Sequence, residues 1–209
     1  MGLDFTTLEN ALILLGQRLA RSKQSHEVVA IGGGSLVLLG YIDRATKDLD
    51  LVAIMKDGCL MSANPLPQSL LKEIAEVGTA LEIGEFWVNA GPASLLDAGL
   101  PKGFEERLII RKYEGLIIHF AGRSDQICFK LYAAVDQGPT SKHFADLKKL
   151  APTRDELITA KKWCLTQDVS SEFSLTVDQA LSALGAINSS IKIYVYVKIH
   201  AHEEHIFSW

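Results

Sequence analysis

The sequence predicts an α/β fold, a sheet flanked by helices, followed by a C-terminal helical module. Three observations predict it. Leu8, Leu12, Leu15 and Leu19 recur on one helical face ahead of the first strand-like run. The stretch from Val28 to Ile54 then changes element type repeatedly: a β-branched run to Ile31, the glycines Gly32, Gly33 and Gly34 with Ser35, an apolar helical turn, and a second apolar strand opened by Asp48-Leu49-Asp50. After Phe120 strand patterning gives way to helical periods.

Taken in order, Thr6 with Glu9 three residues on is a capping-box pair that starts a helix from about Thr7 to Ser22. Val28 to Ile31 is the first strand. Leu49, Leu51, Val52 and Ile54 make the second strand buried on both sides beyond its aspartates. Lys56 to Pro67 carries Gly, Ser, Asn and two prolines, which marks a loop. A helix from about Pro67 to Val77 follows, and Leu81 to Asn89 reads as a third strand containing Trp87. Gly91 to Gly103, rich in Gly, Pro and Ala, predicts a loop with a short helix around Ala93 to Ala98. Arg107 to Tyr113 and Leu116 to Phe120 form a hairpin turning at Glu114-Gly115. Ser124 caps the next helix, whose apolar positions are Phe129, Leu131, Tyr132 and Val135. Thr153 and Glu156 make another capping box for a helix to about Gln167, and Leu175 to Leu184, stopped by Gly185, is a last helix. The division expected is a sheet domain over 1–123, a helical module over 124–190 and a tail strand over 191–209.

Successive strand side chains point to opposite faces, so Asp48 and Asp50 project from the same one. Two carboxylates that close repel unless a cation lies between them, and hard cations such as Mg²⁺ take oxygen ligands together with substrate phosphates. The glycines let backbone amides approach an anion, and a helix starting at Ser35 adds its first N–H groups, with the Ser35 hydroxyl free to cap it and to touch a phosphate oxygen. The run is not a dinucleotide fingerprint, whose third glycine would fall at Val37, and no Gly-Lys-Ser/Thr follows to make a P-loop.

Gly-Ser closing one strand and a carboxylate pair on the next resemble the nucleotidyltransferase superfamily, the polymerase-β-like fold. In particular the stretch resembles the minimal bacterial nucleotidyltransferases that include toxin components of abortive-infection and toxin–antitoxin systems. The resemblance covers roughly residues 26–135 and implies a mixed sheet flanked by helices. It further implies that Gly33, Gly34 and Ser35 hold the phosphates of a nucleoside triphosphate and that Asp48 and Asp50 are the catalytic pair that coordinates Mg²⁺. Phe129-Lys130-Leu131-Tyr132-Ala133-Ala134 resembles the family's lysine-bearing helix, so Lys130 either reaches the triphosphate or snorkels to the surface along a buried stem. Asp146, in Lys142-His143-Phe144-Ala145-Asp146-Leu147, is expected as a structural partner or cap. The family's third carboxylate has its nearest counterpart in Asn89, with Glu82, Glu85, Glu114 and His119 as substitutes. The expected reaction moves a nucleoside monophosphate to a hydroxyl or phosphate of an RNA, a protein or a small molecule, with an antitoxin as partner; the alternative is a non-catalytic nucleotide- or partner-binding protein on the same fold.

Composition is that of an ordinary soluble protein, 48% apolar and 22% charged, and the net charge of −4 argues against a broad non-specific nucleic-acid footprint while leaving room for a local basic groove. No apolar run approaches a membrane span, and the N-terminus lacks a basic region followed by an apolar stretch. Met1-Gly2 with Thr6 fits the myristoylation pattern, a short and common one. Cys59, Cys128 and Cys164 are widely spaced and odd in number, which suggests neither a disulfide framework nor a zinc site and points to the cytoplasm. In the tail, Ile191, Ile193, Val195, Val197 and Ile199 alternate with polar or aromatic residues, a pattern suited to an edge strand or an oligomer contact. His200, His202 and His205 there lack zincin spacing.

Overall fold

The structure is a computed structural model and describes residues 2–185, so the tail strand and its histidines lie outside the described residues. Helix α1 (Phe5–Arg21) is capped by Asp4, whose carboxylate accepts from Thr7 N at 2.8 Å. The Thr6–Glu9 capping box is therefore a correction. Asp4 reaches the open amides of the first turn, and Glu9 instead accepts from Arg111 Nη1 at 3.3 Å and Tyr113 Oη at 3.0 Å. Those bonds tie α1 to the far side of the sheet, and Tyr113, desolvated there, has its phenol pushed up to about 12.

The central strand is β1 (His26–Ile31). Antiparallel to it runs β2 (Leu49–Lys56), which continues into β3 (Cys59–Ser62), so part of the expected Lys56–Pro67 loop is strand. Sequence punctuation hid this short edge strand because Asp57 and Gly58, both at positive φ, make a tight turn between the two. The expected third strand shrinks to β4 (Val88–Asn89), parallel to β2 at Leu49 and Asp50. Residues 81–87 turn instead, because Trp87 is buried with its indole N–H donating to Ile74 O at 2.9 Å, which holds this stretch against a helix. The hairpin β5 (Ile109–Tyr113) and β6 (Leu116–Phe120) forms as predicted, with β6 parallel to β1. The result is a mixed six-stranded sheet, order β3-β2-β1-β6-β5 with β4 beside β2.

Eight helices flank that sheet among the described residues. After α1 come α2 (Gly32–Leu38), α3 (Gln68–Ala80) and α4 (Ser94–Ala98). Leu12 and Leu15 of α1 and Leu70 and Ile74 of α3 meet Leu49 and Leu51 of β2 on one sheet face. By strand alternation this turns Asp50 to the other face. α1 comes close enough to the β5–β6 turn that Gly115 N donates to Gly16 O at 3.1 Å, and a Cβ on Gly16 would lie 1.9 Å from Tyr113 O.

The C-terminal helices are α5 (Arg123–Gln137), α6 (Lys142–Leu150), α7 (Arg154–Gln167) and α8 (Ser171–Ala183). The Thr153–Glu156 capping box forms, whereas Gly122, not Ser124, stands at the N-cap of α5. An aromatic chain, edge-to-face from Phe104 through Phe129 and Trp163 to Tyr132 and tilted from Tyr132 to Phe173, has centroids 5.4 to 6.0 Å apart. No helix among the described residues is long and apolar enough to cross a membrane.

Candidate active site

The chain leaves β1 at Gly32, whose φ of +79° lies in the region that favours glycine, and a Cβ there would sit 2.7 Å from Asp50 Oδ2. Gly32 therefore lets α2 begin directly against a carboxylate. The expected Ser35 cap is corrected by this: α2 starts at Gly32, Ile31 is its N-cap with no side-chain bond, and Gly32 N donates to Gln126 Oε1 at 3.0 Å. The three glycines then part company. Gly32 and Gly33 line a cleft of about 370 Å³. Gly34 faces the sheet, where a Cβ would come 2.8 Å from Asp48 O, so its role in the structure is the close packing of α2 on β2. Ser35 is fully buried, and its Oγ has no hydrogen-bond partner.

Asp48, just before β2, and Asp50, inside it, line the same cleft, with Leu49 between them fully buried in the opposite direction. Burial, and then the charge of Asp48, push the Asp50 carboxyl above its ordinary value; a hydrogen bond from Asn89 and the charges of Lys130 and Lys142 oppose the rise. Asn89 stands in register with Asp50 across the β2–β4 pairing, and its Oδ1 accepts from Gly91 N at 2.8 Å. The substitutes lie elsewhere. Glu82 and Glu85 are exposed in the turns before β4, Glu114 is exposed in the β5–β6 turn, and His119 is buried in a pair with Glu27. No group of three histidine, cysteine or acidic residues able to hold a metal occurs among the described residues.

Opposite the carboxylates is a cationic wall. Lys130 is 2% exposed and lines the cleft, which corrects the snorkelling alternative. Its Nζ donates to Asp146 Oδ2 at 2.7 Å, and Arg44 clasps the same carboxylate through Nε and Nη2, both at 2.6 Å. Burial lowers the Lys130 ammonium from its ordinary value even with Asp146 beside it. Burial also raises Asp146, but the Arg44 hydrogen bonds and the Lys130 charge outweigh it and hold that carboxyl below its usual range. Asp146 is thus the structural partner expected, fixing two cations at once.

Sequence reasoning missed Arg44, Thr46, Lys142 and His143, which all line this cleft. No local pattern placed the first two: residues 43–48 are irregular apart from a single bridge from Thr46 to Leu3, so strand alternation does not extend back to Thr46 and Arg44. Thr46 is anchored through its backbone to Leu3, and a Cβ on Gly33 would meet Thr46 Oγ1 at 3.0 Å and Arg44 Nη2 at 3.2 Å. The outer walls are apolar, from Pro92 and Leu95 on one side and Phe129, Tyr132 and Ala133 of α5 on the other. Arg107 pins the segment before β5 to α5 by donating to both oxygens of Asp125, at 3.0 and 2.6 Å, and to Lys102 O at 2.9 Å. A larger cleft of about 490 Å³ beside Trp163 contains that pair, but its charges are already matched to each other.

Two carboxylates on one face, buried Lys130 and half-buried Arg44 opposite and a bare glycine edge between them form a set suited to a metal-bound polyphosphate. No curated protein and no solved structure matches the chain. A family described as "Nucleotidyltransferase of unknown function (DUF6036)" matches residues 8–139, which take in the glycines, both aspartates, Asn89 and Lys130. Because that match spans more than half of the 209 residues and contains the carboxylate side of the cleft, the chain belongs to this nucleotidyltransferase family.

Proposed function

We propose that the protein transfers a nucleoside monophosphate from a nucleoside triphosphate to a hydroxyl or phosphate of an RNA, a protein or a small molecule. The observation that carries the reading is the meeting of Asp48 and Asp50 with Gly33, Arg44 and Lys130 on one cleft. The donor set fits magnesium: two carboxylates offer hard oxygen ligands, and the Asp50 carboxyl, raised first by burial and then by the charge of Asp48, gains most from a divalent cation beside it. Asp48 and Asp50 would hold the ion, which supplies charge neutralisation and Lewis-acid polarisation of the phosphoryl oxygens.

The chain's own residues do the rest. Lys130 and Arg44 arrive pre-positioned by Asp146, so facing a polyphosphate requires no search over their rotamers. Gly33 presents backbone without a side chain beside Thr46 and Arg44. Asn89 holds Asp50 through its amide while Gly91 N holds Asn89. The apolar walls at Leu95 and Tyr132 offer a surface for the base or the acceptor and exclude water from it. Resemblance to toxin-like nucleotidyltransferases supports a setting in toxin–antitoxin or phage defence, with an antitoxin as partner.

A second reading, nucleotide binding without transfer, is favoured by one observation: a neutral Asn89 where a third carboxylate is expected. Incubation with each α-labelled triphosphate, magnesium and a cell extract separates the two. Transfer of label to a discrete acceptor, with pyrophosphate released, supports the enzyme. Saturable triphosphate binding with no pyrophosphate in any combination supports the binding protein.

A further inference from the structure

We infer that His143 is a further phosphate-binding residue of the cleft and that it takes up a proton when a polyphosphate enters. This rests on the nucleotide reading above and extends it to a residue nothing else assigns. His143 lines the cleft from α6, and its Nδ1 is buried with no hydrogen-bond partner. A buried polar atom left unpaired costs free energy, and one at the wall of a site points to a partner that arrives with a ligand.

The surrounding charges say which ligand. Lys130 faces His143 from α5, Arg44 from the segment before β2, and Lys142 and Asp146 from its own helix; Asp48, Asp50 and Tyr132 line the same cleft. The one carboxylate adjacent to the ring, Asp146, is already engaged by Arg44 and Lys130. Around the ring itself three cations therefore meet the single carboxylate of Asp146, so the local surplus is positive, while Asp48 and Asp50 across the cleft are the pair assigned to the metal ion. A neutral or cationic ligand leaves that surplus as it is, whereas a polyphosphate removes it.

In the free protein the ring is neutral at pH 7, because burial first, and the charges of Lys130 and Lys142 next, push His143 down to about 4. A triphosphate reverses the second cause and adds an acceptor. Its negative charge offsets the two lysines, and a phosphate oxygen accepts a charge-assisted hydrogen bond from the imidazolium. The proton comes from solvent and the only covalent bond formed is N–H on the ring. His143 thereby becomes the last cation of the phosphate grip, supplied only when the anion is present, which spares the empty cleft a further cation beside buried Lys130.

The test is calorimetry of the full chain with ATP, GTP, CTP and UTP in turn, with magnesium, near pH 6 in two buffers of different ionisation enthalpy. If the ring returns to its ordinary 6.5 on binding, the wild type takes up about three quarters of a proton more than His143→Gln does. Equal proton counts in wild type and variant overturn the inference while leaving the nucleotide reading intact. Absence of binding by any triphosphate overturns both. Should His143→Gln fail to fold, imidazole resonances of the wild type decide: one ring titrating near 4 alone and near 6.5 with nucleotide is the expected result, and rings unmoved by nucleotide refute it.

Discussion

Asn89→Asp is expected to weaken the protein without divalent cation and to make magnesium a far better stabiliser of the variant than of the wild type. Asn89 faces Asp50 in register and donates a hydrogen bond to it, and Asp48 already raises that carboxyl. The substitution replaces a donor with a third negative charge on a neighbouring strand. Facing side chains at such a pair approach to roughly 4–5 Å, and at an effective dielectric of about 20 the repulsion at 4 Å is roughly 4 kcal/mol. Sharing a proton with Asp50 offers an escape, and because burial and Asp48 already raise that carboxyl the escape costs less than protonating an ordinary aspartate, so about 4 kcal/mol is the ceiling of the loss. For a chain of this size that ceiling corresponds to a fall in Tm of at most about 8–16 °C. Thermal unfolding with chelator and then with millimolar magnesium reads both halves, and magnesium should recover most of the loss in the variant and little in the wild type. In the transfer assay, turnover should rise with triphosphate affinity nearly unchanged, because the added carboxylate supplies the ligand missing on the acceptor side. Matching unfolding midpoints for variant and wild type in chelator would refute the reasoning, since they would mean that residue 89 does not share the field of Asp50.

Other expectations follow from the same geometry. Asp50→Asn should weaken magnesium-dependent triphosphate binding by at least about tenfold, or about 1.4 kcal/mol, and equal affinity by calorimetry would remove Asp50 from the cation site. Gly32→Ala forces a side chain into positive φ and onto Asp50 Oδ2, so urea titration should show a loss of about 1–3 kcal/mol and binding of magnesium nucleotide should fail with it; a variant that binds normally contradicts the placement of Gly32. Asp146→Asn strands buried Lys130 and Arg44, a cost of about 3–5 kcal/mol. Asp146 also sets an acid dependence. Its folded value lies below the unfolded 3.8, so the unfolded chain binds more protons in that interval; the contribution is whole above 3.8 and drains away as pH falls through the lower folded value. Wild type should therefore lose stability below about pH 4 more steeply than Asp146→Asn, and parallel pH curves would show that the triad is not the cause.

Local pattern carried much of this protein. The leucine spacing of α1, the β-branched run of β1, the alternation through Asp48, Leu49, Asp50 and Leu51, the β5–β6 hairpin and the Thr153–Glu156 capping box are all written in residues a few positions apart, where bond geometry alone relates one side chain to the next. Errors arose where two local readings competed. Asp4 stood within reach of the same amides as Thr6, and a helix beginning at Gly32 took Ser35 indoors. Residues 81–87 have strand composition, but burying Trp87 against α3 left only Val88 and Asn89 to pair.

The sequence by itself determined that Asp48 shares a face with Asp50, because a strand repeats every two residues, and that the chain turns at the end of β1, where Gly32 takes a positive φ that other residues adopt only with strain. Only the tertiary structure decided what stands opposite them. Arg44 and Lys130 meet on Asp146 across chain separations of 102 and 16 residues, Asn89 reaches Asp50 through a two-residue parallel pairing, and His143 enters the cleft from a helix packed on α5. Those relations depend on register between distant segments, which core packing on Leu49, Leu51 and their partners sets, and no spacing along the chain encodes it.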